Sequence, residues 1–546
     1  MASGRKSQKK HSFDLAEFCA KSTGKGQNGK MTVSTDQSQA ILQPLLKIEN
    51  LTKRFPGVLA NDNVSLDVRR GEIHCLLGEN GAGKSTLTET LYGTYLPDSG
   101  TIYFRGAPVE ILSPRDAINI GIGIVHQHFV LVPPLSVIEN VILGTQTSGL
   151  HMDTEKARKR LTELSNNYGV ELNLDAKVWH LSVGEQQWVE ILKALYVGVD
   201  LLILDEPTAV LTPQASERLF TVLKRMKDDG LSIIFITHKL KEVMAVSDRV
   251  SVLRKGKLIA TVDTADVSKQ ELANMMVGRD VVFTIQKEQT EVGETVIEAR
   301  ELRAKNERGE EVLRGVSFDI RQNEILGFAG VSGNGQKELF DVLVGVREPT
   351  AGTLKLNGDD ITFAQPGARM DAGLSSIPED RIREGLVMDF RVEENLVLGI
   401  HRREPFARRK KLINRDAIRK FAIESIENFE IATPSATQVS KTLSGGNLQK
   451  LILARELSLS PAFLIANQPT RGLDVGATEY VRRRLLEQKR RGAAILLISE
   501  DLDEILNLAD QIAVIFKGEI MEIIDAKEAT MEKLGMLMAG VRDGQT

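Results

Sequence analysis

Short apolar runs closed off by glycine or by acidic residues recur along this chain. Residues 201–204 (LLIL) and 493–498 (AAILLI) have the length of strands buried on both faces. Residues 72–77 (EIHCLL) read as another strand, and GENGAGKST (78–86) follows as a glycine loop opening a helix. No apolar run reaches the roughly 18 residues of a membrane-spanning helix. The first 45 residues break the pattern. MASGRKSQKK and KSTGKGQNGK are polar and basic without apolar periodicity, so 1–45 is expected to be a disordered extension. Its shortage of acids also suits a transit peptide, although it lacks an Arg-rich amphipathic helix, and Met31 offers a second start. Residues 284–295 (TIQKEQTEVGET) read as a short polar linker.

The pattern occurs twice. KIENLTKRF…VSLDVRRGEIHCLLGENGAGKSTL, from Lys47, matches VIEARELRA…VSFDIRQNEILGFAGVSGNGQKEL, from Val296. Gly78 pairs with Gly330 and Gln127 with Glu379, both separated by 252, whereas Ser182/Ser444 and Asp205/Asn467 are separated by 262. The second copy therefore gains ten residues, expected in the basic stretch after His401. Two tandem domains are predicted, 46–283 and 296–546, each of about 240 residues. A chain of 546 residues is too long for one core in any case.

Composition narrows the class. The chain is 42% hydrophobic and 26% charged with a formal charge of −4, which argues against bulk nucleic-acid binding. Its two cysteines, Cys19 and Cys75, make no disulfide framework and suit a reducing cytosol. The basic clusters Arg402, Arg403, Arg408, Arg409, Lys410, Lys411 and Arg482, Arg483, Arg484 read first as solvated faces. The alternative is contact with anionic lipid headgroups.

In the first copy, Gly78, Glu79, Asn80, Gly81, Ala82, Gly83, Lys84, Ser85 and Thr86 form a P-loop in its required strand–loop–helix context. The glycines let backbone N–H groups converge on phosphate oxygens, and the helix N-terminus adds its dipole. Lys84 is placed to reach the β- and γ-phosphates of ATP, and Ser85 to ligate Mg²⁺. In LLILDEPT, Asp205 ends a buried strand where it suits a Mg²⁺ contact, and Glu206 is placed as general base for the attacking water.

Between these lies LSVGEQQ (181–187), and here the chain resembles the ATP-binding-cassette ATPases, whose signature is LSGGQ. The resemblance runs from about residue 46 to the end. It implies an α/β fold of tandem P-loop NTPase domains, each with a mixed-sheet core and a helical subdomain. It makes Gln127 (IVHQHF) the Q-loop glutamine, near the metal, and His238 (FITHKL) the H-loop histidine. Phe55 matches the aromatic that stacks on adenine, the alternative being a core phenylalanine.

The second copy alters nearly every phosphate-facing group. Lys84 becomes Gln336, Ser85 becomes Lys337, Gln127 becomes Glu379, Asp205 and Glu206 become Asn467 and Gln468, and His238 becomes Glu500. Yet its signature, Ser444, Gly445 and Gly446, is intact where the first copy has Val183, and Asp474 of GLD stands where the first copy has Thr212. In the family, two cassettes pack head to tail, each ATP lying between one P-loop and the other half's signature. All the departures then fall on one composite site. The halves are expected to pair within the chain, with one competent site (Lys84, Ser85, Gln127, Asp205, Glu206, His238, Ser444, Gly445, Gly446, Asp474) and one degenerate site. Lys337 reads either as a stand-in for the metal's charge or as a lysine turned to solvent.

Tandem cassettes ending in QPTRGLDVGA look like the ATP-binding subunits of bacterial sugar and nucleoside importers, and HQHFVLVPPLSVIENVILG looks closer to the nucleoside branch. The resemblance implies an ATPase on the cytoplasmic face of the membrane, using ATP and Mg²⁺ to drive a separate permease fed by a solute-binding protein. No nucleic acid is expected. The segment after Gln127 meets the permease by family analogy, though its apolar run 130–135 also suits a core. The other reading is a soluble tandem ATPase acting on ribosomes or DNA. The short linker, the single good site and the lack of cysteine clusters count against it.

Overall fold

A computed structural model describes residues 44–127, 129–143, 154–211, 213–280, 291–331, 333–408 and 412–541. The expected N-terminal extension up to residue 43, most of the linker, Thr212 and the basic residues Arg409, Lys410 and Lys411 lie outside the described residues. The chain divides into two units, Met1–Val281 and Val282–Thr546.

In the first unit, a four-stranded antiparallel sheet runs β2-β1-β4-β5, built from β1 (Leu46–Phe55), β2 (Val58–Val68), β4 (Ser99–Phe104) and β5 (Ala107–Val109). A six-stranded sheet runs β10-β9-β3-β8-β7-β6. Its strands are β3 (Ile73–Leu77), β6 (Ile122–Val125), β7 (Leu201–Asp205), β8 (Ser232–Thr237), β9 (Arg249–Arg254) and β10 (Lys257–Asp263). The inner strands pair in parallel and only β10 is antiparallel. Parallel strands covered on both faces must be apolar throughout, and β3, β7 and β8 are buried at every residue. Leu46, Ile48, Leu66, Leu76, Leu87, Ile203 and Ile236 share one core that ties the antiparallel sheet to the parallel one.

Beside the sheets lie three helices, Val137–Ile142, Thr154–Tyr168 and Val183–Tyr196, packed on one another. Helix Thr154–Tyr168 buries Ala157, Leu161, Leu164 and Ser165, one face at helical spacing, and leaves its charged residues outside.

The second unit repeats the design. Its antiparallel sheet is β12-β11-β14-β15, from β11 (Thr295–Lys305), β12 (Glu311–Arg321), β14 (Ala351–Leu356) and β15 (Asp359–Asp360). Its larger sheet is β16-β19-β20-β13-β21-β22. These are β13 (Ile325–Ala329), β16 (Leu374–Ile377), β19 (Phe463–Asn467), β20 (Ala494–Ser499), β21 (Gln511–Phe516) and β22 (Glu519–Asp525). The order matches that of the first unit strand for strand. After His401 the chain makes turns and then a small hairpin of β17 (Ala407–Arg408) and β18 (Leu412–Ile413).

One expectation is corrected here. Of the second basic cluster Arg483 is exposed, at 44%, as a solvated face requires, but Arg482 and Arg484 are not. The Arg482 and Arg484 side chains are only 13% and 18% exposed. Arg482 lies within 3.7 Å of Glu504, and Arg484 donates to Glu487 and to the Tyr480 hydroxyl. Charged groups this sheltered require partners, and the helix carrying them supplies Tyr480 and Glu487.

Candidate ATP site

β3 delivers the chain to residues 78–83, and the helix Lys84–Leu91 leaves from them. Two glycines are sterically required. A Cβ on Gly78 would stand 2.4 Å from the Leu253 carbonyl oxygen, and one on Gly83 would stand 2.3 Å from that of Ala60. Gly83 also has φ +100, in the left-handed region where a side chain is strained. Glu79 is half-buried, Asn80 and Gly81 are exposed, Ala82 is buried, and Ser85 and Thr86 are accessible at the helix start. Lys84 is buried, and its ammonium donates to the Gly78 carbonyl (2.8 Å) and the Glu79 carbonyl (3.0 Å).

The ends of β7 and β8 bring the remaining groups to this loop. Asp205 is buried at the tip of β7, with the Ser85 hydroxyl near enough to favour its charged form. Burial pushes its carboxyl above the usual range and the neighbouring Glu206 charge adds to this, against the pull of Ser85 and Lys84. Such a carboxylate is short of positive charge. Asp205 and the Ser85 hydroxyl form a hard-oxygen pair of the kind that suits Mg²⁺.

Glu206 follows with φ +45, a left-handed backbone that costs a non-glycine residue about 1–2 kcal/mol. The conformation turns its carboxylate to two partners. One oxygen lies 2.8 Å from His238 Nδ1, and the other accepts from Gln127 Nε2 at 3.3 Å. Burial works against the charged form of Glu206. The His238 hydrogen bond and the charges of His238, Lys84 and Lys239 outweigh it and hold the carboxyl below its ordinary value. Lys84, Ser85, Gln127, Asp205, Glu206 and His238, drawn from four separate stretches, thus converge. Phe55 is half-buried at the end of β1, with its ring 5.2 Å from that of Tyr95, so it is not a core residue.

Sequence reasoning missed the supports. Glu242 accepts from the Thr208 hydroxyl (2.5 Å) and the Thr237 hydroxyl (2.6 Å), bracing the strand ends that carry Glu206 and His238. His126, beside Gln127, pairs with Glu89 on the P-loop helix at 3.1 Å. A repeat gave a signal for the first: Glu504, at the Glu242 position, accepts from Ser499 at 2.7 Å.

In the second unit the same scaffold carries different groups. The Gln336 side chain folds back into its own loop. Its carbonyl accepts from the Asn334 N–H (3.1 Å) and its amide donates to the Val331 carbonyl (3.0 Å). Lys337 is 62% exposed and pairs with Glu384 at 3.1 Å. Asn467 is buried, Gln468 keeps the left-handed backbone with φ +50, and its side-chain oxygen accepts from the Glu500 N–H. Glu379 pairs with Arg471. Ser444 stands at the start of the helix Gly445–Leu457, its hydroxyl accepting from the Asn447 amide at 2.9 Å, and a Cβ on Gly446 would lie 3.4 Å from that of Ala477. Asp474 caps the helix Val475–Arg490 by accepting from the Ala477 N–H. The signature and the GLD loop are therefore neighbours within this unit.

Comparison with known proteins matches the ABC transporter family model at residues 61–209 and again at 313–471. The "Glucose import ATP-binding protein" of Haloferax volcanii is 47% identical, over 92% of this chain and 96% of its own length. The "Nucleoside import ATP-binding protein" of Lactococcus lactis and the "Guanosine import ATP-binding protein" of Bacillus subtilis are each 45% identical, over 91% of this chain and 98% of their own lengths. With both family matches falling on the repeated P-loop architecture, the chain belongs to the ABC transporter family.

Proposed function

We propose that this chain is the ATP-hydrolysing energy subunit of an importer, driving a separate permease that carries a nucleoside or a simple sugar, with a nucleoside as the first candidate. The observation that carries the ATPase reading is the convergence of Lys84, Ser85, Asp205, Glu206 and His238 at one loop. The import reading is supported by the names of the relatives.

When ATP enters, Lys84 exchanges its two backbone carbonyls for phosphate oxygens. Mg²⁺, held by Ser85 and Asp205 with Gln127 nearby, would supply charge neutralisation at the phosphates. Glu206 is ionised at neutral pH and takes the proton of the attacking water, while His238 fixes its orientation. Ser444, Gly445, Gly446 and Asp474 are further candidates for nucleotide contact, on the strength of the family pattern alone.

Contact with the permease fits the stretch after Gln127. Val130 and Val132 are 59% and 37% exposed, so this apolar run is not core. It borders a groove of about 1050 Å³ that also presents Tyr92, Glu190 and Lys193. Among the described residues no helix is long and apolar enough to cross a membrane, which leaves the crossing to the permease.

The test is uptake of radiolabelled guanosine, glucose and ribose by cells lacking the gene, rescued with wild type or Glu206→Gln. Loss of guanosine uptake that only wild type restores supports the reading. Loss of glucose or ribose uptake alone moves the solute to the sugars. No change in any of the three refutes the import assignment and favours a soluble ATPase.

A further inference from the structure

The two units treat one buried carboxylate differently. In the first, Glu72 stands just before β3 and is 5% exposed. Its side chain accepts from the Arg69 N–H at 2.6 Å. The Arg249 guanidinium donates to it at 3.2 Å and to both oxygens of Asp67, on β2, at 3.0 and 3.3 Å. His74 Nδ1 stands 3.3 Å from it. Arg249 thereby ties the antiparallel sheet to the parallel one. Burial works against the Glu72 charge, yet these partners hold the carboxyl below its usual range.

In the second unit the carboxylate is kept and the cation is gone. Sheet register fixes the equivalence: Arg249 lies opposite His74 and Asp263, and Gln511 lies opposite Leu326 and Asp525. Glutamine thus replaces the guanidinium and leucine replaces the imidazole. The frame around them is unchanged. Glu324 is 7% exposed and accepts from the Arg321 N–H at 2.8 Å, and Lys489 pairs with Asp510 as Lys227 pairs with Asp248. Asp319, at the Asp67 position, has a new partner in Arg300 of β11, which takes both its oxygens. Glu324 has no such replacement: among the described residues it forms no ion pair, and its second oxygen accepts no hydrogen bond. Burial accordingly pushes its carboxyl above the usual range, and the Asp510 charge adds to this, against the Arg321 N–H.

A cavity of about 440 Å³ opens among these residues. Glu324, Asp319 and Gln511 line it, and Phe318 and Ile523 give it an apolar wall. Ile523 pairs with Ala513 where Thr261 pairs with Ser251 in the first unit, so the wall has become less polar. Arg300 and Arg321 also border the cavity. Arg300 is committed to Asp319, and Arg321 stands at the position of Arg69, which accompanies Arg249 in the first unit and does not substitute for it.

We propose that this cavity is a binding site for a small alkylguanidinium cation, with its head on Glu324 and its chain against Phe318 and Ile523. The first unit carries the same cation as its own arginine. The bound molecule bridges β12 to β13 and β21, joining the two sheets of the second unit as Arg249 joins those of the first. Because the cation is diffusible, that join depends on its concentration. The site lies wholly within one unit and does not depend on the import reading.

The test uses the purified full chain and agmatine, a guanidinium on an alkylamine chain. Equilibrium dialysis with radiolabelled agmatine in physiological salt is expected to give one bound molecule per wild-type chain. Gln511→Arg supplies the guanidinium from the chain itself and should abolish binding. Glu324→Gln keeps the shape and removes the charge, and should weaken binding about tenfold or more. Saturating agmatine should raise the melting temperature of wild type and leave Gln511→Arg unmoved. Absence of saturable binding to wild type overturns the proposal. So does binding that survives unchanged in Gln511→Arg, a variant that decides the matter alone if Glu324→Gln does not fold.

Discussion

Replacing Glu206 by glutamine removes a charge and almost nothing else. The backbone there is left-handed at φ +45, and glutamine already occupies the equivalent position of the second unit, Gln468, at φ +50. Both residues donate their N–H to the neighbouring strand, Glu206 to Ile236 at 3.1 Å and Gln468 to Ile498 at 2.8 Å. The variant is therefore expected to fold normally and to bind ATP. Loss of a general base costs about 10²–10⁴ in rate, or about 2.7–5.4 kcal/mol of barrier. The second unit offers no reserve, since Asn467 and Gln468 replace its own acids. Phosphate release by the purified chain should fall below about 1% of wild type, with ATP binding retained. A residual rate of half would mean that the second unit hydrolyses ATP, and the placement of catalysis in the first would be wrong.

Gly83→Ala should be far more disruptive than its size suggests. The new Cβ meets the Ala60 carbonyl at 2.3 Å and the left-handed backbone adds about 1–2 kcal/mol. ATP binding, read by fluorescent-nucleotide titration, should be lost along with several degrees of melting temperature. Because Gln336 already satisfies the Asn334 N–H, equilibrium dialysis with ATP should give one nucleotide per chain, and a second tight site would refute the self-filled loop. The Glu89 hydrogen bond, against a smaller cost of burial, raises His126 above its ordinary value. The stability this gives is full below about pH 6.5 and is lost as pH rises through the raised value. The half-open pair is worth at most about 1 kcal/mol. Glu89→Gln should accordingly melt about 2–4 °C lower than wild type at pH 5.5 and show less difference at pH 8.5.

The residues proposed to hold nucleotide were legible because their chemistry demands fixed spacing. Gly78, Gly83, Lys84 and Ser85 lie within one loop, and Asp205 and Glu206 end one apolar strand. The duplication made the altered second loop legible by comparison. Contacts between distant stretches were not. Glu379 and Arg471 stand far apart in the sequence of the second unit, and no periodicity links them. Lys337 read either as a stand-in for a metal's charge or as a lysine turned to solvent; it is 62% exposed, and its ion pair with Glu384, across the segment after β16, was not legible. Nor did composition show that Arg482 and Arg484 are sheltered, because a run of arginines has the same sequence whether it faces water or a neighbouring ring.

Two units in one chain also change what inheritance can do to such a molecule. In a symmetric pair of single cassettes, every substitution is written into both sites at once. A glutamine at the lysine position would then abolish both together. In a tandem gene the two loops are separate stretches of text, so one can lose its phosphate-facing groups while the other keeps them. Gln336 and Lys84 stand side by side in that sense. The unlike halves are also made in equal number, with no sorting step needed to bring them together.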